Sequence, residues 1–144
     1  MKVVRTKAEL RELLAPVRAE GRSIGLVPTM GYLHDGHRSL LEAASERCDV
    51  TVMSLFVNPT QFRPGEDLEA YPRDEVRDVA LAEQAGTDFV FAPSTEEVYP
   101  AGYTTSVIVE GLSEVLCGDP GRRGSARGRG GRGRRRAPRS GPRR

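Results

Sequence analysis

The stretch IGLVPTMGYLHDGH, residues 24–37, decides the fold of this chain. Its first four residues, Ile24 to Val27, form a short apolar run that is typical of a buried strand. The loop that follows carries two histidines, and Leu40, Leu41 and Ala44 beyond it predict a helix. A strand that leads through a glycine-containing turn into a helix favours phosphate binding, because free backbone amides and the helix dipole point toward the turn.

Upstream of this stretch, the sequence predicts a first helix. Thr6 and Glu9 form a capping box in which each side chain can satisfy a free amide, and Gly21 can end the helix in a left-handed conformation. Pro16 is able to kink its last turn. The apolar residues at helical spacing are Leu10, Leu13, Leu14 and Val17.

Downstream, strand and helix continue to alternate. Residues Val50 to Val57 are almost continuously apolar, which predicts a strand covered on both faces. A polar loop from Asn58 to Arg73 precedes a helix from about Asp74 to Gln84, which Ala85-Gly86 stops before a third strand, Phe89 to Ala92. The apolar positions that support this helix are Val76, Val79 and Ala80.

The order helix, strand, helix, strand, helix, strand predicts an α/β fold, a Rossmann-like parallel sheet with flanking helices and right-handed crossovers. In such sheets the ligand crevice lies at the carboxyl ends of the strands, where loops 28–37 and 58–64 both begin. A further strand is expected over Thr105 to Val109, and a short helical turn over Leu112 to Leu116.

The charge of the chain divides it into two parts. Residues 1–117 hold 11 Lys/Arg and 19 Asp/Glu, a formal charge of −8, whereas residues 118–144 hold 11 Lys/Arg and one acidic residue, a charge of +10. The second part is rich in Gly, Arg, Pro and Ser and has no apolar periodicity. We therefore expect a folded domain over 1–117 and a disordered Arg/Gly-rich tail over 118–144.

Several classes of protein are disfavoured by what the sequence lacks. It has no apolar run of about 18 residues and no signal-peptide pattern at its start, so a cytoplasmic protein is expected. Cys48 and Cys117 are expected to be reduced, and no zinc-type spacing surrounds them. Neither GxxxxGK[ST] nor GxGxxG is present, which removes the commoner nucleotide-binding motifs.

The two histidines carry the chemistry that the loop offers. His34 and His37 flank Gly36, so at a helix entry they can project to one side and donate hydrogen bonds to phosphate oxygens. They could then neutralise negative charge on an α-phosphate during nucleophilic attack. The alternative is that they only cap and solvate the helix. No third ligand lies nearby in sequence, so no metal site is expected.

Two segments together resemble one enzyme family. Pro28-Thr29-Met30-Gly31 leading into HxGH is similar to pantothenate synthetases (pantoate–β-alanine ligases), which are HxGH nucleotidyltransferase-like enzymes. The family's pantoate loop is similar to Phe56-Val57-Asn58-Pro59-Thr60-Gln61-Phe62, followed by Gly65-Glu66-Asp67-Leu68 and Tyr71-Pro72-Arg73, and Tyr99-Pro100 also fits. The resemblance runs from about residue 1 to Leu116 and covers the amino-terminal part of the family.

The resemblance implies an ATP-dependent ligase that makes a coenzyme A precursor. Pantoate attacks ATP to give pantoyl adenylate and pyrophosphate, and β-alanine then displaces AMP to form pantothenate. ATP is thus implied as a substrate, Mg²⁺ is expected with it although no protein ligand can be named, and the family implies a homodimer without a membrane partner.

The same resemblance assigns roles to residues of the two loops. His37 takes the role of proton donor and His34 helps to hold the phosphates. Gln61 is implied to bind pantoate and β-alanine, whereas Asn58 is a weaker candidate for pantoate because a turn residue before Pro59 is an equal explanation. The residues implied to wrap ATP are Met30, Gly31, Tyr32, Leu33, His34, Asp35, Gly36 and His37.

After Leu116 the sequence departs from the family pattern. A GEKD-type nucleotide segment, a serine and arginine loop and a lid domain are all expected there, and the chain has an Arg/Gly run instead. The 1–117 domain is therefore interpreted as a partial ATP/pantoate-binding unit, with a truncated, inactive nucleotide-binding fragment as the alternative. The tail has the amino-acid composition that results when G+C-rich coding DNA is translated in a shifted frame, which is one interpretation of it. The second alternative is an RGG-like tail that binds nucleic acid nonspecifically, and it is disfavoured because the tail has no aromatic residue.

Overall fold

The computed structural model describes residues 1–62 and 68–104. In that part of the chain, four parallel strands form one sheet in the order β1-β4-β3-β2, flanked by helices, as the α/β interpretation predicts. The elements are β1 Lys2–Val4, α1 Lys7–Ala19, β2 Ile24–Thr29, α2 Asp35–Arg47, β3 Val50–Leu55, a 3₁₀ helix Pro59–Gln61, α3 Glu75–Gln84, β4 Phe89–Phe91 and α4 Thr95–Val98.

The sheet has a hydrophobic core on each face. Helix α1 covers one face, where its residues Leu14 and Val17 pack with Val50 and Val52 of β3. Helices α2 and α3 cover the other, where the core comprises Val27, Leu33, Leu41, Met53, Ala82, Ala85, Val90 and Ala92. No helix in the described ranges combines the length and the apolarity that a membrane span requires.

The ends of the elements differ from the prediction by a few residues. β2 is longer than predicted and continues through Thr29, while β3 ends at Leu55 and β4 at Phe91. β1 was not predicted, because three residues are too few to show a periodicity. The strand and helical turn predicted over 105–116, and the tail over 118–144, lie outside the described residues.

Helix α1 begins and ends where its signals predict. Thr6 Oγ1 accepts a hydrogen bond from Glu9 N (3.2 Å), which is one half of the capping box, while the Glu9 carboxylate lies 3.0 Å from Lys2 Nζ. Gly21 has φ +70°, the left-handed conformation expected just after the helix. Pro16 lies inside the helix.

The inner face of α3 agrees with the prediction only in part, since the predicted Val79 packs against the core but the other two positions do not. Val76 is 84% exposed and Ala80 is also exposed, whereas Asp78 and Ala82 are buried at 1% and 0%. On α2 the predicted Leu41 is fully buried, yet Leu40 is 58% exposed. A carboxylate thus takes a position that an apolar side chain would usually occupy on a helix packed against a sheet.

Candidate functional site

Two loops meet at the carboxyl edge of the sheet. β2 and β3 pair in parallel up to Thr29 and Leu55, so the chain leaves both strands at adjacent points. Thr29 closes this edge, since its Oγ1 donates to Ser54 O (2.8 Å) and its carbonyl accepts from Phe56 N (3.1 Å). The loop with the two histidines and the loop that begins at Phe56 therefore lie side by side, as the topology predicts.

The two histidines form a pair at the start of α2. His34 is the N-cap, and its Nδ1 accepts from Gly36 N (3.1 Å), while His37 Nδ1 accepts from His34 N (3.4 Å). The ring centroids lie 4.1 Å apart. A Cβ on Gly36 would lie 3.0 Å from His34 Cε1, so glycine is what lets the ring fold back over the helix end. The histidines cap the helix, and they also face one side together.

Capping fixes which ring nitrogen can bind a ligand. Because each Nδ1 accepts a hydrogen bond, each neutral imidazole carries its proton on Nε2, which is then a donor. Burial lowers the pKa of His37, the neighbouring His34 lowers it further, and the Asp78 carboxylate acts in the opposite direction. His37 is therefore a neutral hydrogen-bond donor near neutral pH.

The backbone before His34 turns sharply. Gly31 has φ +88° and Tyr32 has φ +52°, and Tyr32 alone among the described non-glycine residues has a positive φ. Tyr32 N and Leu33 N donate to Asp78 at 2.7 Å each, and Gly36 N is taken by His34. The expectation that the loop amides are free for phosphate is therefore wrong for these three, because protein acceptors already bind them.

The second loop holds its two candidate residues differently. Asn58 is 6% exposed, and its Oδ1 accepts from Thr60 N (3.1 Å), Thr60 Oγ1 (2.9 Å) and Tyr99 OH (2.9 Å). Asn58 is thus the N-cap of the 3₁₀ helix. Gln61 lies at the end of that helix with an exposed side chain. The rings of Phe62 and Tyr71 pack edge to face with their centroids 5.7 Å apart.

A cavity of about 130 Å³ lies between the two loops and the start of α3. Arg73 borders it, and its guanidinium also donates to the carbonyls of Leu68, Glu69 and Tyr71 at 2.7–3.1 Å. Within 1–62 and 68–104, no group of three or more His, Cys, Asp or Glu is placed to hold a metal ion. The lining residues are Met30, Gly31, Leu55, Phe56, Val57, Arg73, Asp74, Glu75 and Asp78.

Comparison with known proteins gives one consistent result. The family model described as pantoate-beta-alanine ligase matches residues 2–128. The chain belongs to this family. Pantothenate synthetase from Moorella thermoacetica is 61% identical over 118 residues, and that from Acetivibrio thermocellus is 58% identical over 118 residues.

Solved structures of pantoate–β-alanine ligases share the fold. Pantothenate synthetase from Thermus thermophilus matches with a TM-score of 0.80 and 48% identity over 88% of this chain. The ligase from Francisella tularensis, solved with β-γ ATP and β-alanine, matches with a TM-score of 0.79 and 32% identity over 87%. The chain spans 42% of the length of the two curated relatives and 44% and 48% of the two solved chains.

The structure brings the two family motifs together at one edge of the sheet, where Met30 to His37 lie next to the start of the Phe56 loop. The side-chain oxygen Oδ1 of Asn58 is not free for a ligand, because it accepts hydrogen bonds from Thr60 and Tyr99. Sequence reasoning missed Asp78, and it named Tyr99 only as part of the family pattern, without its hydrogen bond to Asn58. The available signal for Asp78 was its spacing, four residues before Ala82, which puts both on the inner face of one helix.

Proposed function

We propose that this chain supplies the ATP- and pantoate-binding part of a pantoate–β-alanine ligase. The reaction is the ATP-dependent condensation of pantoate with β-alanine through a pantoyl adenylate, with release of AMP and pyrophosphate. The observation that carries the proposal is the histidine pair, whose rings lie 4.1 Å apart at the entry of α2 with both Nε2 atoms available as donors. The Francisella relative that holds β-γ ATP and β-alanine supports the choice of ligands.

The pair acts on the phosphates by electrostatics. When the pantoate carboxylate attacks the α-phosphate, negative charge builds on the phosphate oxygens, and preorganised donors stabilise it. His37 Nε2–H donates to that charge, and His34 Nε2–H holds an adjacent phosphate oxygen. Mg²⁺ enters with ATP as part of the substrate.

The second loop binds the acid substrates in this proposal. Gln61 is exposed at the end of the 3₁₀ helix, and its side-chain amide offers two donors and one acceptor for the hydroxyl and carboxylate of pantoate and then for β-alanine. Asn58 contacts pantoate only through its amide nitrogen, because its Oδ1 already accepts three hydrogen bonds. Its main contribution is to fix the 3₁₀ helix that ends at Gln61.

Two substitutions test the histidines while preserving the helix cap. H34N places asparagine, a good N-cap residue, and H37Q places glutamine at the position that a capping box accepts. Each variant removes one imidazole donor, so we expect ATP affinity to fall roughly tenfold, equivalent to about 1.4 kcal/mol. Isothermal titration calorimetry with Mg-ATP measures it, and E46Q, an exposed change on the same helix, is the control and should bind as the wild type.

Product analysis separates the ligase from a nucleotide-binding fragment. The wild-type chain is incubated with ATP, pantoate and β-alanine, and pantothenate, AMP and pyrophosphate are measured. Formation of all three supports the ligase proposal. ATP binding without products supports the fragment alternative, and a folded chain that binds no ATP is the outcome that rejects both.

A further inference from the structure

One side chain links helix α3 to the loop before the two histidines. Asp78 is 1% exposed, and both of its oxygens accept hydrogen bonds of 2.7 Å, Oδ2 from Tyr32 N and Oδ1 from Leu33 N. A buried carboxylate is costly unless hydrogen bonded, and charge-assisted bonds are stronger than neutral ones. These two bonds therefore join two elements firmly, although they lie more than 40 residues apart in sequence.

The loop has a conformation that needs such a partner. Gly31 and Tyr32 both have φ in the left-handed region, which residues with a Cβ rarely adopt. Such a conformation persists where surrounding contacts determine it. The Arg77 guanidinium lies 5.5 Å from the centre of the Tyr32 ring, so consecutive residues of α3 contact both the side chain and the backbone of Tyr32.

The loop and the carboxylate also fit closely in space. A Cβ added to Gly31 would lie 2.9 Å from Asp78 Oδ2 and 2.9 Å from Leu55 Cδ1. No side chain can enter there unless the loop moves away from Asp78. The glycine, the left-handed turn and the buried carboxylate are therefore parts of one arrangement.

We propose that Asp78 is a positioning residue for the ATP site: it fixes the bend at Gly31 and Tyr32, and this bend places His34 at the start of α2 with its ring against His37. Asp78 acts through the histidines and not on ATP itself. Its consequence for ATP binding rests on the proposed function, whereas its effect on the loop can be measured without nucleotide.

Asp78→Asn is the first test because it keeps the shape of the side chain and replaces one acceptor oxygen with an NH₂ group that cannot accept. The control is A82G, at a fully buried position on the same helix, which weakens α3 without changing its contacts to the loop. Hydrogen exchange at Tyr32 N and Leu33 N is followed by NMR. We expect D78N to accelerate it roughly tenfold, about 1.4 kcal/mol, relative to A82G.

The histidine resonances give a second readout, since the chain contains only two histidines. The charged groups that act on His37 are His34 at the same helix end and Asp78 from α3. Removal of the Asp78 charge should lower the pKa of His37 further, because that charge opposes the effects of burial and of His34. A82G should leave this titration unchanged.

The outcomes are distinguishable. The proposal would be overturned if D78N showed the same amide exchange and the same His37 titration as the wild type. It would also be overturned if A82G changed both quantities as much as D78N does. If D78N does not fold, G31A tests the same contact from the loop side, and undisturbed Tyr32 and Leu33 amides in G31A would also overturn it. Absence of ATP binding by the wild type defeats the proposed function alone; where it binds, D78N should bind roughly tenfold more weakly and A82G normally.

Discussion

Each imidazole of the histidine pair uses one nitrogen, Nδ1, for a hydrogen bond within the fold, which leaves Nε2 as the donor. The Nδ1 atoms accept backbone hydrogen bonds at the start of α2, which fixes ring orientation and tautomer together. A ligand that binds Nε2 therefore meets donors that need no rearrangement, and preorganisation of this kind is what makes electrostatic stabilisation effective.

The lowered pKa of His37 predicts a pH-dependent stability. A histidine whose pKa is lower in the folded state takes up protons more readily when unfolded, so its contribution is complete above the ordinary value of 6.5 and is lost as pH falls toward the folded pKa. We expect the free energy of unfolding to fall less between about pH 7.5 and about pH 5 in H37Q than in the wild type. Urea titrations at both pH values measure it, and parallel pH profiles for the two proteins would contradict the prediction.

The sequence predicted the histidine pair, but it did not predict the buried carboxylate that holds the loop before the pair. HxGH is a local pattern, and its residues contact one another within one helical turn. Asp78 acts on a loop far away in sequence, and buried carboxylates are uncommon enough that an apolar face was the better expectation. The turn role of Asn58 was one of the two explanations that the sequence offered, and it is confirmed by the hydrogen bond from Thr60 N. The bond from Tyr99 was hidden, because Tyr99 is 41 residues away.

Among the elements, α2 is held close to β2 by the absence of a side chain. A Cβ on Gly25 would lie 3.0 Å from Cys48 Sγ and 3.3 Å from Ala44 Cβ, both at the end of α2. This contact sets how near α2 lies to β2, the strand that leads into the loop with the two histidines.

Gly25→Ala should therefore destabilise the fold through overpacking, by about 1–3 kcal/mol. C48A removes the nearest atom, so G25A/C48A should recover part of that loss, and the two substitutions should be non-additive in a double-mutant cycle. Chemical denaturation of the four proteins gives the coupling energy. Simple additivity would show that the Cys48 contact does not limit the approach of α2.

Strand prediction succeeded where a strand contains a short apolar run. β2, β3 and β4 all contain one, and their positions agree within a few residues, although only β3 is buried over most of its length. β1 has only three residues and is defined by its partner, with Val3 opposite Val90. The boundaries of such elements depend on pairing, which one stretch of sequence does not contain.

At the scale of the whole molecule, the position of β2 at the edge of the described sheet favours self-association. Among the described strands β2 pairs only with β3, and Leu26 on it is 63% exposed. A strand at the edge of a sheet that exposes an apolar side chain is a template for pairing with another chain.

Leu26→Lys should reduce self-association, since lysine on an edge strand opposes strand addition. V76K is the matched control because Val76 is 84% exposed on α3 and away from the sheet edge. Sedimentation velocity over a range of concentrations measures the change. An equal effect of both substitutions would indicate general apolar contact instead of pairing at β2.

The pairing of β1 with β4 also orders events during synthesis. Lys2 to Val4 lie opposite Phe89 to Phe91, so β1 has no partner among the described strands until nearly ninety further residues have been added. Contacts of such high sequence separation close late and slow folding. Val3 and Val4 therefore stay unpaired in the sheet, with their apolar side chains not yet packed against β4, while β2 and β3 assemble. Of the four described strands, β1 is made first, yet it can enter the sheet only after β4 has been made.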